Sequence, residues 1–287
     1  MRLSPRRSSL PRARPGHPYF AGAPLLMAHR GGSALAPENT LAAFRRAVEW
    51  WRADVLETDV QPTADGEVVV IHDATVDRTT DGSGPVAGLR LEEIRRLDAG
   101  YRFSPDGGRT FPFRGGGVRI STLEEVLLAL PETRINVEIK DGRAQRRVLE
   151  TVHDLGATRR VLIAAGRRAN RSRFAAYPGP TSAAQEDVLA FWLHLRSRTV
   201  ALYRPPVDAF QVPERHGAVQ VVTPRFVREA HALNIPVHVW TVDDEPEMRR
   251  LLEWGVDGIV TDRPDRLARV LHERLGRPLP PGPPGGA

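Results

Sequence analysis

Eight side chains are of types and spacings that could do chemistry together. His29 and His72 each follow a short apolar run. A pair of imidazoles can supply one acid and one base near neutral pH. Glu57 and Asp59 stand two apart within the run 55–60, so on a strand they point to the same side. Two carboxylates that close repel unless a proton or a cation lies between them. Glu138 arrives from another apolar run in the same inward phase. Three hard oxygen ligands suit one divalent cation, Mg²⁺ or Ca²⁺, and do not suit a soft metal. Arg30, next to His29, can fork onto a phosphate, and Gly31-Gly32 allows close backbone approach. Lys140 is the only lysine among 41 basic residues. An ammonium is a compact point charge where a guanidinium is a wide plane, so this lysine marks a place where arginine would not fit. Trp240 ends the run 237–240 on the same face as His238 and lines the barrel interior or its core. Asp262 precedes Arg263-Pro264 and reads as a helix N-cap as readily as a reacting group.

These residues must be positioned by alternating strands and helices. Short apolar runs predict strands at 25–28, 55–60, 68–71, 135–139, 161–164, 209–212, 237–239 and 258–260. Helical periodicity follows at 41–51, capped by Asn39 or Thr40, and at 123–130, 145–155, 185–195, 224–233, 245–254 and 264–274. Eight strands interleaved with helices predict a parallel α/β barrel in one domain, a (β/α)₈ TIM barrel. The alternative, an open doubly wound sheet, lacks a GxGxxG between strand and helix. In a parallel barrel the strand ends carrying His29, Glu57, Asp59, His72, Glu138 and Lys140 gather on one face. One connection is irregular: residues 60–68 are too few for a crossover helix, and Asp65-Gly66 signals a turn. A hairpin there would bring Glu57 roughly opposite His72. Residues 74–120 lack a clear strand, contain one short helix at 91–97, and read as a lid or specificity insert.

Composition excludes several function classes. The 287 residues contain no cysteine, which removes disulfides, thiol nucleophiles and cysteine metal sites. No apolar run approaches the ~20 residues of a membrane helix, so no stable membrane insertion is expected. The net charge of +6 would suggest nucleic acid, but five arginines and no acid fall within residues 1–28. Without them, the body is close to neutral and offers no basic groove; no nucleic-acid partner is expected. Residues 1–24, rich in Arg, Pro and Ser, read as a disordered tail, as does the Pro/Gly stretch 276–287. With no apolar leader segment, the expected location is the cytoplasm.

The sequence resembles the glycerophosphodiester phosphodiesterase family. The resemblance spans about 25–269. It rests on the order and spacing of His29-Arg30-Gly31, Pro37-Glu38-Asn39-Thr40, Glu57-Thr58-Asp59-Val60, Val70-Ile71-His72-Asp73, Arg78-Thr79-Thr80, Val137-Glu138-Ile139-Lys140, Val239-Trp240-Thr241-Val242 and Gly255 through Asp262. It implies a phosphatidylinositol-phospholipase-C-like barrel and metal-dependent hydrolysis of small glycerophosphodiesters to an alcohol and sn-glycerol 3-phosphate. It also implies His29 and His72 as acid and base, and Glu57, Asp59 and Glu138 as metal ligands. Arg30 and Lys140 would be phosphate contacts, and Trp240 a pocket residue. The sequence departs from the family at Arg52, where glycine is usual, and at Ala165-Gly166, where Ser-Phe is common; 166–208 is its least family-like stretch. Competing readings are a lysophospholipase D on the same scaffold, favoured if the apolar residues of 74–120 line a lid, a non-catalytic phosphodiester-binding module, and nucleic-acid binding through the basic tail.

Overall fold

The computed structural model describes residues 17–204 and 206–284. Its strands are β1 (Leu25–Ala28), β2 (Val55–Pro62), β3 (Val68–Val70), β4 (Arg134–Ile139), β5 (Val161–Ala164), β6 (Phe210–Pro213), β7 (Arg215–His216), β8 (Val219–Gln220), β9 (Val237–Trp240) and β10 (Gly258–Thr261). Its helices are α1 (Leu41–Glu49), α2 (Leu91–Ile94), α3 (Leu123–Ala129), α4 (Gln145–Asp154), α5 (Gln185–Ser197), α6 (Pro224–Ala232), α7 (Glu245–Glu253) and α8 (Pro264–Leu275). Thr40 caps α1 by accepting from the Ala43 amide, and Thr122 and Thr223 cap α3 and α6 in the same way.

Seven strands run parallel in the order β5-β4-β2-β1-β10-β9-β6. Two parallel bridges, Ile163 with Thr181 and Ser182 with Ala209, insert residues 181–182 between β5 and β6 and complete the circuit. The eighth stave is therefore this two-residue segment, which feeds directly into α5. The run at 68–71, expected among the barrel strands, instead forms β3, an antiparallel hairpin partner of β2. The turn lies at Asp65-Gly66 as expected, and Val60 pairs with Val70. The Ile71 amide donates to the Asp59 carbonyl, so His72 falls level with Thr58, one residue from the expected partner Glu57. Hairpin pairing also lengthens β2, so Glu57 and Asp59 sit inside a strand rather than at its end.

Alternation along the staves separates two apolar layers. Outward residues such as Leu26, Leu56, Ile135, Val137 and Ile163 pack beneath the helices. Inward residues Leu25, Met27, Val55, Leu162, Ala209 and Val260 fill the lower barrel and close over Tyr19. This corrects the expected tail boundary. Residues 18–20 form a 3₁₀ turn, Tyr19 is fully buried, and the Arg134 guanidinium donates to the carbonyls of Tyr19 and Ala21. The stretch after α8 is likewise held: Arg277 donates to Asp54 and to the carbonyls of Gly22 and Pro24. The expected disorder of 1–16 and 285–287 lies outside the described residues.

The insert has a small core of its own, built from Val76, Val86, Ile94, Ala99 and Ile120 against Val69 and Ile71, with Leu89, Leu91 and Leu97 packed on it. Phe103 stacks edge-on against Phe113, and Arg114 covers Phe111. The aliphatic side chains are thus taken up by internal packing, whereas Phe103, Phe111 and Phe113 stay half-buried. Among the described residues no helix is long and apolar enough to cross a membrane.

Candidate active site

The upper interior of the barrel brings six of the eight predicted residues into one cluster, Glu57, Asp59, Glu138, Lys140, Arg30 and His29, with His72 and Trp240 standing outside its direct contacts. Glu57 and Asp59 project inward from β2, and Glu138 from the neighbouring β4, where it pairs in register with Asp59. One oxygen of each of the three carboxylates lies within 4.8 Å of the others. Lys140, just past β4, places Nζ 2.9 Å from Asp59 and 2.8 Å from Glu138. Arg30 Nε lies 3.3 Å from Asp59. That nitrogen is buried, and its contact with Asp59 lacks hydrogen-bond geometry. Trp240 ends β9 on the same rim with its ring 44% exposed. It is a mouth residue, whereas His238, on the same face of the strand, is fully buried lower in the barrel.

Backbone geometry after β1 explains how His29 and Arg30 reach the site. Arg30 adopts φ +49°, Gly31 +85° and Gly32 +88°. A left-handed arginine is a costly conformation, retained here by its surroundings. It turns the Arg30 amide onto Glu57 Oε2 at 3.1 Å. The two glycines are also required by packing. A Cβ on Gly31 would come within 2.8 Å of Ala43 and Phe44, and one on Gly32 within 2.8 Å of Pro264.

Each histidine is held through Nδ1. His29 donates to Asp262 at 2.6 Å and places Nε2 3.9 Å from Glu57. His72 donates to Asp73 at 2.7 Å. A carboxylate on Nδ1 fixes tautomer and orientation and leaves Nε2 to face the reaction. Sequence reasoning weighed Asp262 as a helix cap, but the cap position of α8 is Arg263, and Asp262 is the partner of His29. Also missed were Asp73, Glu38 and Asn39. Asn39 donates to Asp59 at 3.0 Å and accepts from Thr58. All lie inside motifs quoted above, so adjacency to a histidine or a carboxylate strand was the available signal.

The electrostatics identify what the cluster lacks. Burial and the neighbouring Asp59 push the Glu57 carboxyl up to about 8. Burial also disfavours ionised Asp59, but Lys140 and Arg30 overcome it and hold its pKa below the ordinary value. Lys140 and Arg30 thus serve Asp59 chiefly, while at Glu57 burial and Asp59 outweigh the opposing pull of His29 and Lys140. Burial alone would lower His29; the Asp262 hydrogen bond and the Glu57 charge outweigh it and hold its pKa above the usual 6.5. An all-oxygen triad of carboxylates drawn together in a buried site fits a hard divalent cation.

Comparison with known proteins agrees with this geometry. The model of the glycerophosphoryl diester phosphodiesterase family matches residues 29–266. A glycerophosphodiester phosphodiesterase of Caldanaerobacter subterraneus subsp. tengcongensis is 36% identical over 261 residues, covering 87% of this chain and 98% of the relative. The crystal structure of a glycerophosphodiester phosphodiesterase from Agrobacterium tumefaciens str. C58 superposes with a TM-score of 0.68 at 27% identity, covering 85% of this chain and 98% of that one. An Oleispira antarctica phosphodiesterase, solved in complex with sn-glycerol-3-phosphate, shares the fold at a TM-score of 0.71 and 21% identity, covering 88% and 98%.

Proposed function

The chain belongs to the glycerophosphoryl diester phosphodiesterase family, and from that premise we propose how its own residues carry out the hydrolysis. The substrate is a small glycerophosphodiester, and the products are an alcohol and sn-glycerol 3-phosphate, the product in the Oleispira complex. Glu57, Asp59 and Glu138 would hold one divalent cation, Mg²⁺ or Ca²⁺, which supplies Lewis-acid stabilisation of phosphoryl charge when bound. Arg30 and Lys140 grip nonbridging oxygens and offset the charge that grows on them.

His29 and His72 divide the proton transfers. One takes the proton from the attacking hydroxyl, either water, which gives glycerol 3-phosphate directly, or the glycerol 2-hydroxyl, which gives a cyclic phosphate that a water then opens to glycerol 3-phosphate. The other returns a proton to the leaving alkoxide as its P–O bond breaks. Asp262 and Asp73 keep both rings in the required tautomer. Trp240 offers an exposed face at the rim for the glycerol or alcohol portion. The observation carrying this reading is the convergence of three carboxylates within 4.8 Å beside a histidine already paired to Asp262.

The competing lysophospholipase D reading would need an apolar lining from the insert, most of whose aliphatic side chains pack into its own core, while Phe103 lines a cavity beside Arg78. The deciding assay is release of glycerol 3-phosphate from glycerophosphocholine and glycerophosphoethanolamine, after chelation and with Mg²⁺, Ca²⁺ or Mn²⁺ restored. Metal-restored release is the expected result. No release with any ion, alongside turnover of lysophosphatidylcholine, would overturn the substrate assignment.

A further inference from the structure

Arg78 belongs to none of the groups given a role above, yet its guanidinium is forked twice. Nη1 and Nη2 each donate to one oxygen of Glu38 at 2.7 Å. Nε donates to Asp73 Oδ2 at 2.6 Å, and Nη2 also reaches Asp73 Oδ1 at 3.2 Å. Four of the five guanidinium N–H donors are thereby committed in one plane. Both carboxylates lead onward to the reacting groups. Asp73 accepts from His72, and Glu38 accepts from Arg30 Nη1 at 2.9 Å. We propose that Arg78 is a positioning residue that sets His72 and Arg30 relative to each other by clamping Asp73 and Glu38 in a single plane. The proposal rests on the hydrolase reading of the site.

The geometry favours this over an ordinary surface ion pair. Exposed pairs contribute little to stability, and the Arg78 side chain is 47% exposed. The arrangement here joins two carboxylates, each of which already holds a different reacting side chain. Without the guanidinium, Asp73 loses the partner that fixes its plane, and the His72 ring turns with it. Glu38 is then left to Arg30 alone and draws that guanidinium away from phosphate. A lysine cannot replace this function, because a single ammonium lacks the planar double fork. Arg78 also lines a cavity of about 400 Å³ together with Glu38, Ser33, Arg102 and Phe103, so a small cation can enter the space an alanine would leave.

The test is steady-state turnover of glycerophosphocholine by wild type, Arg78→Ala and Arg78→Lys. Arg78→Ala is measured with and without millimolar guanidinium chloride, well below denaturing levels, against ammonium chloride at equal ionic strength. Supporting partners of this kind are worth roughly 10–100-fold in activity. The expected result is a kcat loss of that size for Arg78→Ala, little recovery in Arg78→Lys, and recovery by guanidinium but not by ammonium. A kcat within twofold of wild type, a fully active Arg78→Lys, or a loss that guanidinium does not relieve beyond ammonium each overturns the positioning role. Wild type that releases no glycerol 3-phosphate with any metal overturns the reading of the site itself, and the proposal with it.

Discussion

The upper and lower halves of the barrel interior are both polar, and they handle polarity in opposite ways. The upper half gathers Glu57, Asp59 and Glu138 with Arg30, Lys140 and His29. Burial and the adjacent Asp59 push the Glu57 carboxyl up to about 8, against the pull of His29 and Lys140. The lower half buries Tyr19, Asn136 and His238 among Leu25, Met27, Val55 and Leu162. Its polar groups are neutral, and burial pushes His238 down to about 4. Stored charge marks the half that awaits a ligand; neutral polar groups mark the half that holds the walls together. Neither polarity nor burial alone separates the two.

Variants should divide along that line. In the upper half, His29→Ala and His72→Ala should each lower turnover by roughly 10²–10⁴-fold, the range of a general acid or base, with Tm nearly unchanged. Near-wild-type kcat in either would break the comparison. In the lower half the readouts exchange places. Tyr19→Ala empties the barrel floor and should cost about 3–5 kcal/mol in denaturant unfolding, while the protein that remains folded keeps its turnover. Tyr19→Phe removes only a buried hydroxyl that lacks a hydrogen-bond partner and should be neutral or mildly stabilising.

The pH response sharpens the contrast. His238 has a folded pKa near 4 against an ordinary 6.5. The unfolded chain therefore takes up its proton first on acidification. The contribution is complete above 6.5 and is lost as pH falls towards 4, by on the order of 3 kcal/mol. His238→Gln should flatten the stability profile across that window; an unchanged slope would assign the effect elsewhere. The smallest effect lies at the end of α1, beneath the barrel. Arg52 adopts φ +52°, and the next amide, Ala53, closes the helix onto Ala47. Arg52→Gly should stabilise by about 0.5–1 kcal/mol, read as a small rise in Tm with kcat unaltered.

Most of this was legible in the chain because alternation and spacing are local. The runs at 25–28 and 161–164 coincide with β1 and β5, and the inward phase of Glu57, Asp59 and Glu138 followed from counting by twos. What was not legible depends on tertiary closure. Residues 181–182 follow Pro178-Gly179-Pro180 and are too short to read as a strand, so the apolar run 68–71 took their place in the count. Tyr19 stands alone in a proline-rich stretch and becomes a core residue only when a barrel floor exists to receive it. Asp262 lies 233 residues from His29, and no local pattern distinguishes a helix cap from a distant imidazole partner.

The two-residue stave has a mechanical consequence. Its neighbours are joined to it by backbone hydrogen bonds from Ile163 to the Pro180 carbonyl at 3.0 Å, Ser182 to the Ile163 carbonyl at 2.9 Å, Ala183 to the Ala209 carbonyl at 2.9 Å, and Asp208 and Ala209 to the Thr181 carbonyl at 2.9 and 3.2 Å. The β2–β4 junction, by contrast, runs through six registered pairs. The β1–β2 and β9–β10 junctions also register over only two residue pairs each, and the junction at 181–182 differs from them in consisting of isolated bridges outside any strand. Amide exchange should therefore be fastest, among the barrel walls, along 181–183 and 209. The same junction is the natural place to cut the ring when its two halves are to be made as separate, complementing fragments.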